Sequence, residues 1–300
     1  MILITGASGY LGRQLYAHLE HRGERVVSAG RGSAERYLDL EDDADWSSLL
    51  DGVTIVIHCA GIAHSRAKAH EYEAVNVKGA LRLGAAARRA GVRRFIYVSS
   101  LNVVPRGAAN PHAPASDWPV PDNAYARSKR SAEIALTGLF QGGDAELIIL
   151  RPALVYDLEL TGNLALLKRI GGWLPVALPA TGSRSMVSRP DLVAIIARWL
   201  INEPVPRGYV LQSAIADGQT YSAERIGRAL AGRAQWQLPQ WFWPLVLRMC
   251  RLFPLAYVRR FCQALSGELW ISPDGQPEGG AVNWRLESLL SHPRADGGDR

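Results

Sequence analysis

The types and spacing of Tyr125 and Lys129 could support acid–base chemistry. They stand four residues apart, so both side chains would lie on one face of a helix. A free phenol has a pKa of about 10, and a nearby ammonium favours the phenolate and lowers that pKa. Ser100 offers a hydroxyl that could hold a substrate oxygen while Tyr125 exchanges a proton with it. We therefore predict Ser100, Tyr125 and Lys129 as catalytic residues, with Lys129 lowering the pKa of Tyr125.

Three glycines near the start of the sequence have the spacing of a dinucleotide-binding turn. Gly6, Gly9 and Gly12 follow a short apolar run, which predicts a buried parallel strand, and a helical pattern comes after them. The glycines would permit a tight turn and close approach of a pyrophosphate, while the N–H groups of the helix start face the anion. The cofactor-binding residues predicted along this turn are Gly6, Ser8, Gly9, Tyr10, Leu11 and Gly12.

Apolar strand-like runs alternate with helical stretches over the first half of the chain. The strands are predicted over 25–29, 53–59, 93–98 and 146–150, and the longest helix over 69–90. Such alternation predicts an α/β fold with a doubly wound parallel sheet of the Rossmann type, which places Ser100 at the carboxyl end of a central strand. We predict a dinucleotide-binding domain over 1–160, a smaller C-terminal substrate-binding lobe mainly over 161–290 with segments that return to the core sheet, and a flexible tail over 291–300.

The end of the second predicted strand bears on the identity of the cofactor. In this fold an acidic residue there accepts the ribose hydroxyls of the adenosine, whereas an arginine suits a 2′-phosphate. This chain has Gly30 followed by Arg31, so we expect NADP(H) to be favoured over NAD(H). The alternative is that Arg31 is an exposed loop residue. Asp39 follows on a short third strand, which would carry its carboxylate to the adenine edge.

Composition indicates a globular protein and excludes several classes of partner. The chain has 300 residues, of which 48% are hydrophobic and 21% charged, and its net charge is +6. The arginines are scattered and form no basic stripe, so we expect no nucleic-acid partner. Cys59, Cys250 and Cys262 share no metal-type spacing, which favours a reduced, cytoplasmic protein without a metal site. We also expect no transmembrane segment and a homodimer.

Residues 236–261 are rich in aromatic, aliphatic and arginine side chains. The interspersed arginines, with Pro239, Pro244 and Pro254, argue against a bilayer span. Helices that cover a substrate lobe are the favoured interpretation. An amphipathic helix in peripheral contact with a membrane or a partner is the alternative.

The glycine turn, the strand-end serine and the Tyr-x-x-x-Lys pattern together resemble a known family. Gly6-x-x-Gly9-x-x-Gly12, Ser100 and Tyr125-x-x-x-Lys129 are similar to the motifs of the extended short-chain dehydrogenase/reductases, in particular the nucleotide-sugar epimerase/dehydratase group. The resemblance covers nearly the whole chain and is strongest over 1–160. It implies NAD(P)-dependent oxidoreductase chemistry on a nucleotide-linked sugar.

The resemblance also assigns further residues to the cofactor and the substrate. It implies adenine contacts at Asp39 and Leu40, a cofactor bridge at Ala60 and Gly61, and a water and cofactor network at Asn76. Arg151 and Pro152 would precede the nicotinamide contacts. The remaining substrate-binding residues it implies are Asn102, Asn163 and Arg184, of which Arg184 would grip the substrate diphosphate.

Departures from the family pattern narrow the expected reaction. Val103-Val104-Pro105 replaces the usual Val-Tyr-Gly after the serine, and Asp157 replaces a usual glycine. Leu101 and Asn102 stand where the dehydratases have carboxylates, which argues against water elimination. The chain looks most similar to enzymes that reduce a UDP-linked 4-keto sugar for surface polysaccharide.

Three other functions remain open from the sequence. A UDP-hexose 4-epimerase would use the same residues but retain its cofactor through both half-reactions. A steroid-type or flavonol-type ketone reductase would share Ser100, Tyr125 and Lys129 and have no need for Arg184. A dinucleotide-sensing protein without chemistry is the least favoured, because a sensor has no reason to keep those three residues together.

Overall fold

The computed structural model describes residues 1–42, 44–63, 67–160, 164–165, 167–169, 176–201, 208, 210–231, 236–239, 241–243, 245, 248, 268–269 and 283–291. Asn163, most of 236–261 and the tail beyond 291 lie outside the described residues. The chain forms two compact units. The first holds Met1–Ala153 and Leu192–Ile215, and the second holds Leu154–Asp191 and the described residues from Ala216 onward. The domain limits at 160 and 290 stay predictions.

Eleven strands are found in the described part of the chain. They are β1 Ile2–Thr5, β2 Val26–Gly30, β3 Arg36–Tyr37, β4 Ile55–His58, β5 Arg94–Val98, β6 Glu146–Pro152, β7 Leu154–Tyr156, β8 Ser183–Arg184, β9 Met186–Ser188, β10 Val210–Ile215 and β11 Glu268–Leu269. The α-helices there are α1 Tyr10–His21, α2 Ala69–Tyr72, α3 Ala80–Arg89, α4 Ala124–Phe140, α5 Arg189–Ile201, α6 Ala223–Ala231 and α7 Leu286–Ser291. None of the described helices combines the length and apolarity that crossing a membrane requires.

The first unit is built on a seven-stranded sheet in the order β10-β6-β5-β4-β1-β2-β3. Every pairing in it is parallel, so the predicted doubly wound parallel sheet is confirmed. The chain order of the strands reverses between β1 and β4, and ligands in such sheets bind outside the carboxyl ends at this point. Thr5 of β1 stands opposite His58 of β4 in register, so both strands deliver their following loops to the same edge.

Apolar side chains on one face of the central strands form the core of the first unit. Leu3, Val56 and Phe95 are completely buried and belong to a core that α3 and α4 cover. The ring of Phe95 packs against Phe140 of α4 with ring centroids 5.4 Å apart. This packing fixes α4, which carries Tyr125 and Lys129, against the strands that end beside the predicted site.

The segment predicted as one helix over 69–90 contains an irregularity. Residues Glu73–Gly79 form a π-helical turn between α2 and α3, and Asn76 lies inside it. Such turns insert an extra residue into the helical repeat and are frequent at functional sites.

The second unit has its own small core around Tyr156, Met186, Tyr221 and Leu286. A buried carboxylate, Asp217, accepts hydrogen bonds from the Tyr221 hydroxyl at 2.5 Å and the Tyr156 hydroxyl at 3.2 Å. Burial raises the pKa of Asp217, although the hydrogen bonds oppose the shift.

Candidate active site

The turn between β1 and α1 has space only for glycine at two positions. Gly6 has a φ of 70°, and a Cβ on it would lie 2.8 Å from the backbone of Ala60. A Cβ on Gly12 would lie 2.2 Å from the Gly6 carbonyl oxygen. Gly9 is exposed and precedes α1, whose first N–H groups are suited to an anion. This turn, a glycine cradle formed by Gly6, Gly9 and Gly12, therefore fits the pyrophosphate of a dinucleotide.

The loop after β4 forms the other side of this cradle. The Ala60 N–H donates to Thr5 Oγ1 at 3.3 Å, and Gly61 has a φ of 154°. A Cβ on Gly61 would lie 2.9 Å from Asn76 Oδ1, which accepts from the Ile62 N–H at 2.8 Å. Of the two predicted bridge residues, Gly61 therefore has no room for a side chain, and the backbone of Ala60 lies directly against Gly6.

Asn76 ties that loop to the helix that carries Tyr125. Its Nδ2 donates to the Ile62 carbonyl and to Ser128 Oγ, both at 3.0 Å. Ser128 Oγ in turn donates to the Tyr125 carbonyl at 2.8 Å. These bonds engage the Asn76 amide with the protein itself, so it positions the start of α4 relative to the β4 loop.

Ser100, Tyr125 and Lys129 come together at the carboxyl end of β5. Ser100 is buried directly after the strand, and its hydroxyl is near enough to the Tyr125 phenol to influence the pKa of that phenol. Lys129 Nζ donates to the Val98 carbonyl at 2.9 Å and lies 4.7 Å from the centre of the Tyr97 ring. All three predicted catalytic side chains thus share one end of the sheet, next to the glycine cradle.

Burial dominates the electrostatics of this cluster. It raises the pKa of Tyr125, a shift that the Ser100 hydroxyl opposes and Tyr72 reinforces. Burial also lowers the pKa of Lys129 to about 8, partly offset by Cys59 and Glu133. The pKa of Tyr125 is raised and not lowered as predicted, because desolvation of the phenol outweighs the effect expected of Lys129, whose ammonium donates to the Val98 carbonyl and faces the Tyr97 ring. Tyr125 is therefore a protonated acid at neutral pH.

Two neighbouring side chains that could be reactive, His58 and Cys59, are held in their uncharged forms. His58 Nδ1 shares a hydrogen bond of 2.7 Å with Thr5 Oγ1, and burial with the nearby Lys129 lowers the His58 pKa to about 3. Burial raises the pKa of the Cys59 thiol to about 12. At neutral pH His58 is neutral and packs on Tyr97, with ring centroids 5.8 Å apart, and Cys59 stays a thiol.

At the adenosine end, the structure brings Arg31 and Asp39 together. The Arg31 guanidinium is 72% exposed, and its Nη1 lies 3.9 Å from Asp39 Oδ2. Leu40 is buried beside them. A second carboxylate, Glu35, accepts from the Ser28 N–H on β2 at 2.6 Å. Two carboxylates, Asp39 and Glu35, therefore lie near the end of β2, where the prediction from Arg31 places a 2′-phosphate.

Arg151 is the largest completely buried side chain described in the molecule. Its Nε and Nη2 donate to the Glu133 carboxylate, and Nη1 donates to the Pro111 and Ala113 carbonyls, each at 2.9 Å. Nη2 also donates to the Gln212 side chain. All five donors of the guanidinium are therefore engaged, which leaves none for the predicted cofactor contact. The neighbouring Pro152 continues β6, paired with Ile215.

Sequence reasoning missed Glu133, the partner of Arg151. Glu133 also accepts from the Ser99 hydroxyl, so it connects α4 to the strand end that presents Ser100. Its position four residues after Lys129 on one helix face was the available signal.

The predicted substrate-binding residues do not all belong to the same unit of the chain. Asn102 lies beside Ser100, whereas Arg184 lies in the second unit, half-buried on β8. The Arg184 backbone exchanges hydrogen bonds with Tyr221 at 3.2 and 2.9 Å, and burial lowers the pKa of its guanidinium. Asn163 lies outside the described residues.

A family model described as the NAD dependent epimerase/dehydratase family matches residues 2–173. The UDP-glucose 4-epimerase of Vibrio cholerae is 30% identical over 81% of this chain and 79% of its own length. This chain belongs to the NAD-dependent epimerase/dehydratase family. Its members are enzymes, and the resemblance stated from the sequence is confirmed.

Two further relatives indicate the breadth of the family. The ceramide reductase of Caulobacter vibrioides is 31% identical over 76% of this chain and 69% of its own length. The solved structure of MoeE5 in complex with UDP-glucuronic acid and NAD superposes with a TM-score of 0.73, covering 96% of each chain at 22% identity. That structural likeness supports the fold of this epimerase/dehydratase family member.

Proposed function

We propose that this enzyme reduces the 4-keto group of a UDP-linked sugar. The observation that carries the proposal is the placement of Ser100, Tyr125 and Lys129 together at the carboxyl end of β5, with burial holding the phenol in its protonated form. A ketone that becomes an alcohol needs a proton at its oxygen, and Tyr125 is ready to supply one. The MoeE5 complex with a UDP-sugar supports the substrate class by fold similarity.

The nicotinamide cofactor, when bound, supplies the hydride. Residues of the cradle, chiefly Gly6, Gly9 and Gly12, would hold its pyrophosphate. Ser100 donates a hydrogen bond to the substrate oxygen, Tyr125 transfers its proton there, and Lys129 stabilises the phenolate that remains. Arg184, which the resemblance assigns to the diphosphate, stays a proposal for substrate binding.

The decisive experiment mixes purified enzyme with NADPH and a UDP-4-keto-6-deoxy sugar and follows absorbance at 340 nm. We expect NADPH oxidation stoichiometric with formation of the 4-hydroxy sugar. Tyr125→Phe keeps the ring and removes the proton, and should lower turnover by about 10²- to 10⁴-fold. Turnover at the wild-type rate in that variant would refute the role of Tyr125.

UDP-hexose 4-epimerase activity is the second candidate, favoured by the 30% identity to the Vibrio cholerae epimerase over 81% of this chain. An epimerase oxidises and then re-reduces the same carbon without net consumption of cofactor. Interconversion of UDP-glucose and UDP-galactose with unchanged absorbance at 340 nm, by protein that purifies with bound NAD, would replace the reductase proposal.

We propose further that NADP(H) is the favoured cofactor. The support is the largely exposed Arg31 guanidinium, whose contact with Asp39 is long at 3.9 Å and therefore weak. An arginine–phosphate hydrogen bond contributes about 1.5–3 kcal/mol, so Arg31→Ala should weaken NADPH binding by roughly 10- to 150-fold and spare NADH. Equal effects on both cofactors in calorimetry, or tighter NADH binding by the wild type, would contradict this preference.

A further inference from the structure

The hydroxyl of Ser100 receives two hydrogen bonds from a single residue, Asn102. The Asn102 backbone N–H donates to Ser100 Oγ at 3.2 Å, and its side-chain Nδ2 donates to the same atom at 3.0 Å. The backbone bond begins the short helical turn Leu101–Val103, for which it is sufficient. The bond from the Asn102 side chain is therefore not needed to begin the helical turn.

These two donors settle which way the Ser100 proton points. A serine hydroxyl has one proton to donate and two lone pairs that accept. With both lone pairs facing Asn102, Ser100 is left as a donor. The Tyr125 phenol is near enough to Ser100 for the hydroxyl to oppose the rise in the Tyr125 pKa, so it is a neighbour toward which the Ser100 proton can point.

The placement of Asn102 agrees with this function better than with a packing role. The residue is exposed, while its neighbours Leu101 and Val103 are buried and provide the local packing. The other groups around the phenol are Tyr72 on α2, Tyr97 on β5, and Lys129 one helical turn further along α4. Asn102 differs from these three side chains in that it donates two hydrogen bonds to Ser100.

We propose that Asn102 is a positioning residue that fixes the Ser100 hydroxyl as a hydrogen-bond donor, whose one proton points toward Tyr125 in the free protein and turns to the substrate oxygen when substrate is bound. The part that concerns the substrate rests on the proposed reductase function. The part that concerns Ser100 and Tyr125 is a property of the protein alone. It can therefore be measured without turnover.

The first measurement is the ¹³Cζ chemical shift of Tyr125 at neutral pH, which reports hydrogen bonding at the phenol oxygen. Tyrosine-labelled protein gives the signal, and Tyr125→Phe assigns it by its loss. Asn102→Ala should shift this resonance, and Asn102→Asp should shift it further because a carboxylate would accept the Ser100 proton. Asn110→Ala, which removes an exposed asparagine that caps a loop turn by accepting from the His112 N–H at 3.0 Å, should leave it unchanged.

A double-mutant comparison separates positioning from a general structural effect. In a Ser100→Ala background, Asn102→Ala should produce no additional shift of the Tyr125 resonance. An equal shift with or without Ser100 would overturn the proposal, as would an unmoved resonance in both Asn102 variants. Retention of the wild-type shift by Asn102→Asp alone would also overturn it, since the amide oxygen would then be accepting from Ser100.

Kinetics with the keto-sugar give the second readout. Loss of one net hydrogen bond predicts that Asn102→Ala lowers kcat by about 2- to 13-fold with KM nearly unchanged. A change confined to KM would instead make Asn102 a substrate-binding residue and refute the positioning role. If no keto-sugar is reduced by the wild type while the chemical shifts behave as expected, the proposed function fails and the positioning of Ser100 stands.

Discussion

Replacing Lys129 by methionine is expected to abolish catalysis and to stabilise the folded protein at pH 7. Lys129 is only 5% exposed, and the described structure gives its ammonium a carbonyl and an aromatic ring as close partners. Its pKa is lowered from 10.5 to about 8, chiefly by burial. That shift corresponds to about 3 kcal/mol against the charged form in the folded protein. Methionine removes this penalty but also the hydrogen bond to Val98, worth about 1 kcal/mol, so a net gain of about 2 kcal/mol follows.

The sign of this effect makes it depend on pH. Below pH 8 both the folded and the unfolded protein hold the Lys129 proton, and the penalty is fully present. Between pH 8 and 10.5 the unfolded protein holds the proton while the folded protein releases it, so wild-type stability rises with pH. Above pH 10.5 the penalty has disappeared. The advantage of Lys129→Met over wild type should therefore shrink across this window.

Urea unfolding at pH 7, 9 and 10.5 measures the free energies of unfolding directly. Lys78→Met is the matched control, because Lys78 is exposed on the neighbouring π-helical turn and its replacement should change stability little at any pH. The reasoning is refuted if Lys129→Met is less stable than wild type at pH 7. It is also refuted if the difference between the two proteins is the same at pH 7 and pH 10.5.

Two further comparisons use matched positions within the first unit. Glu133→Gln should lower the free energy of unfolding by about 3–5 kcal/mol, because it breaks the ion pair with the buried Arg151. It should also speed hydrogen exchange over 105–118, since Arg151 holds this loop through its carbonyls. Glu146→Gln is the control: it breaks a second buried ion pair, 2.5 Å long, and should leave exchange in that loop unchanged. Gly12→Ala should destabilise the protein and weaken dinucleotide binding through its contact with Gly6, whereas Gly138→Ala, with nothing within 4 Å, should stabilise helix α4 by about 0.5–1 kcal/mol in a thermal melt.

The fold was largely predictable because its strands are short, continuous apolar runs, which are typical of buried strands in a parallel sheet. Predictions over 93–98 and 146–150 differ from β5 and β6 by one or two residues at their ends. The π-helical turn at Glu73–Gly79 was not predictable, since one extra residue in a turn barely changes a helical pattern. Its cause is tertiary: Asn76 is held by Ile62 and Ser128, which are remote in sequence.

The candidate site was predictable in its membership but not in its electrostatics. Spacing along α4 brings Tyr125 and Lys129 together, yet the depth of burial decides their pKa values, and burial depends on the whole sheet. Arg151 illustrates the same limit. Its acceptors come from Glu133, from the loop at Pro111 and Ala113, and from Gln212 on β10, and only the folded chain assembles them.

The protonation of Tyr125 and Lys129 also bears on the choice between reductase and epimerase. A phenol whose pKa is raised by burial begins a catalytic cycle with its proton in place, which suits proton donation to a carbonyl. Oxidation of an alcohol must first remove that proton, and a lysine with a pKa of about 8 provides less cationic stabilisation of the phenolate as the pH rises. A reductase needs only the favoured half of this chemistry, whereas an epimerase must run both halves in every turnover. The buried environment of Tyr125 therefore supports reduction as the proposed direction.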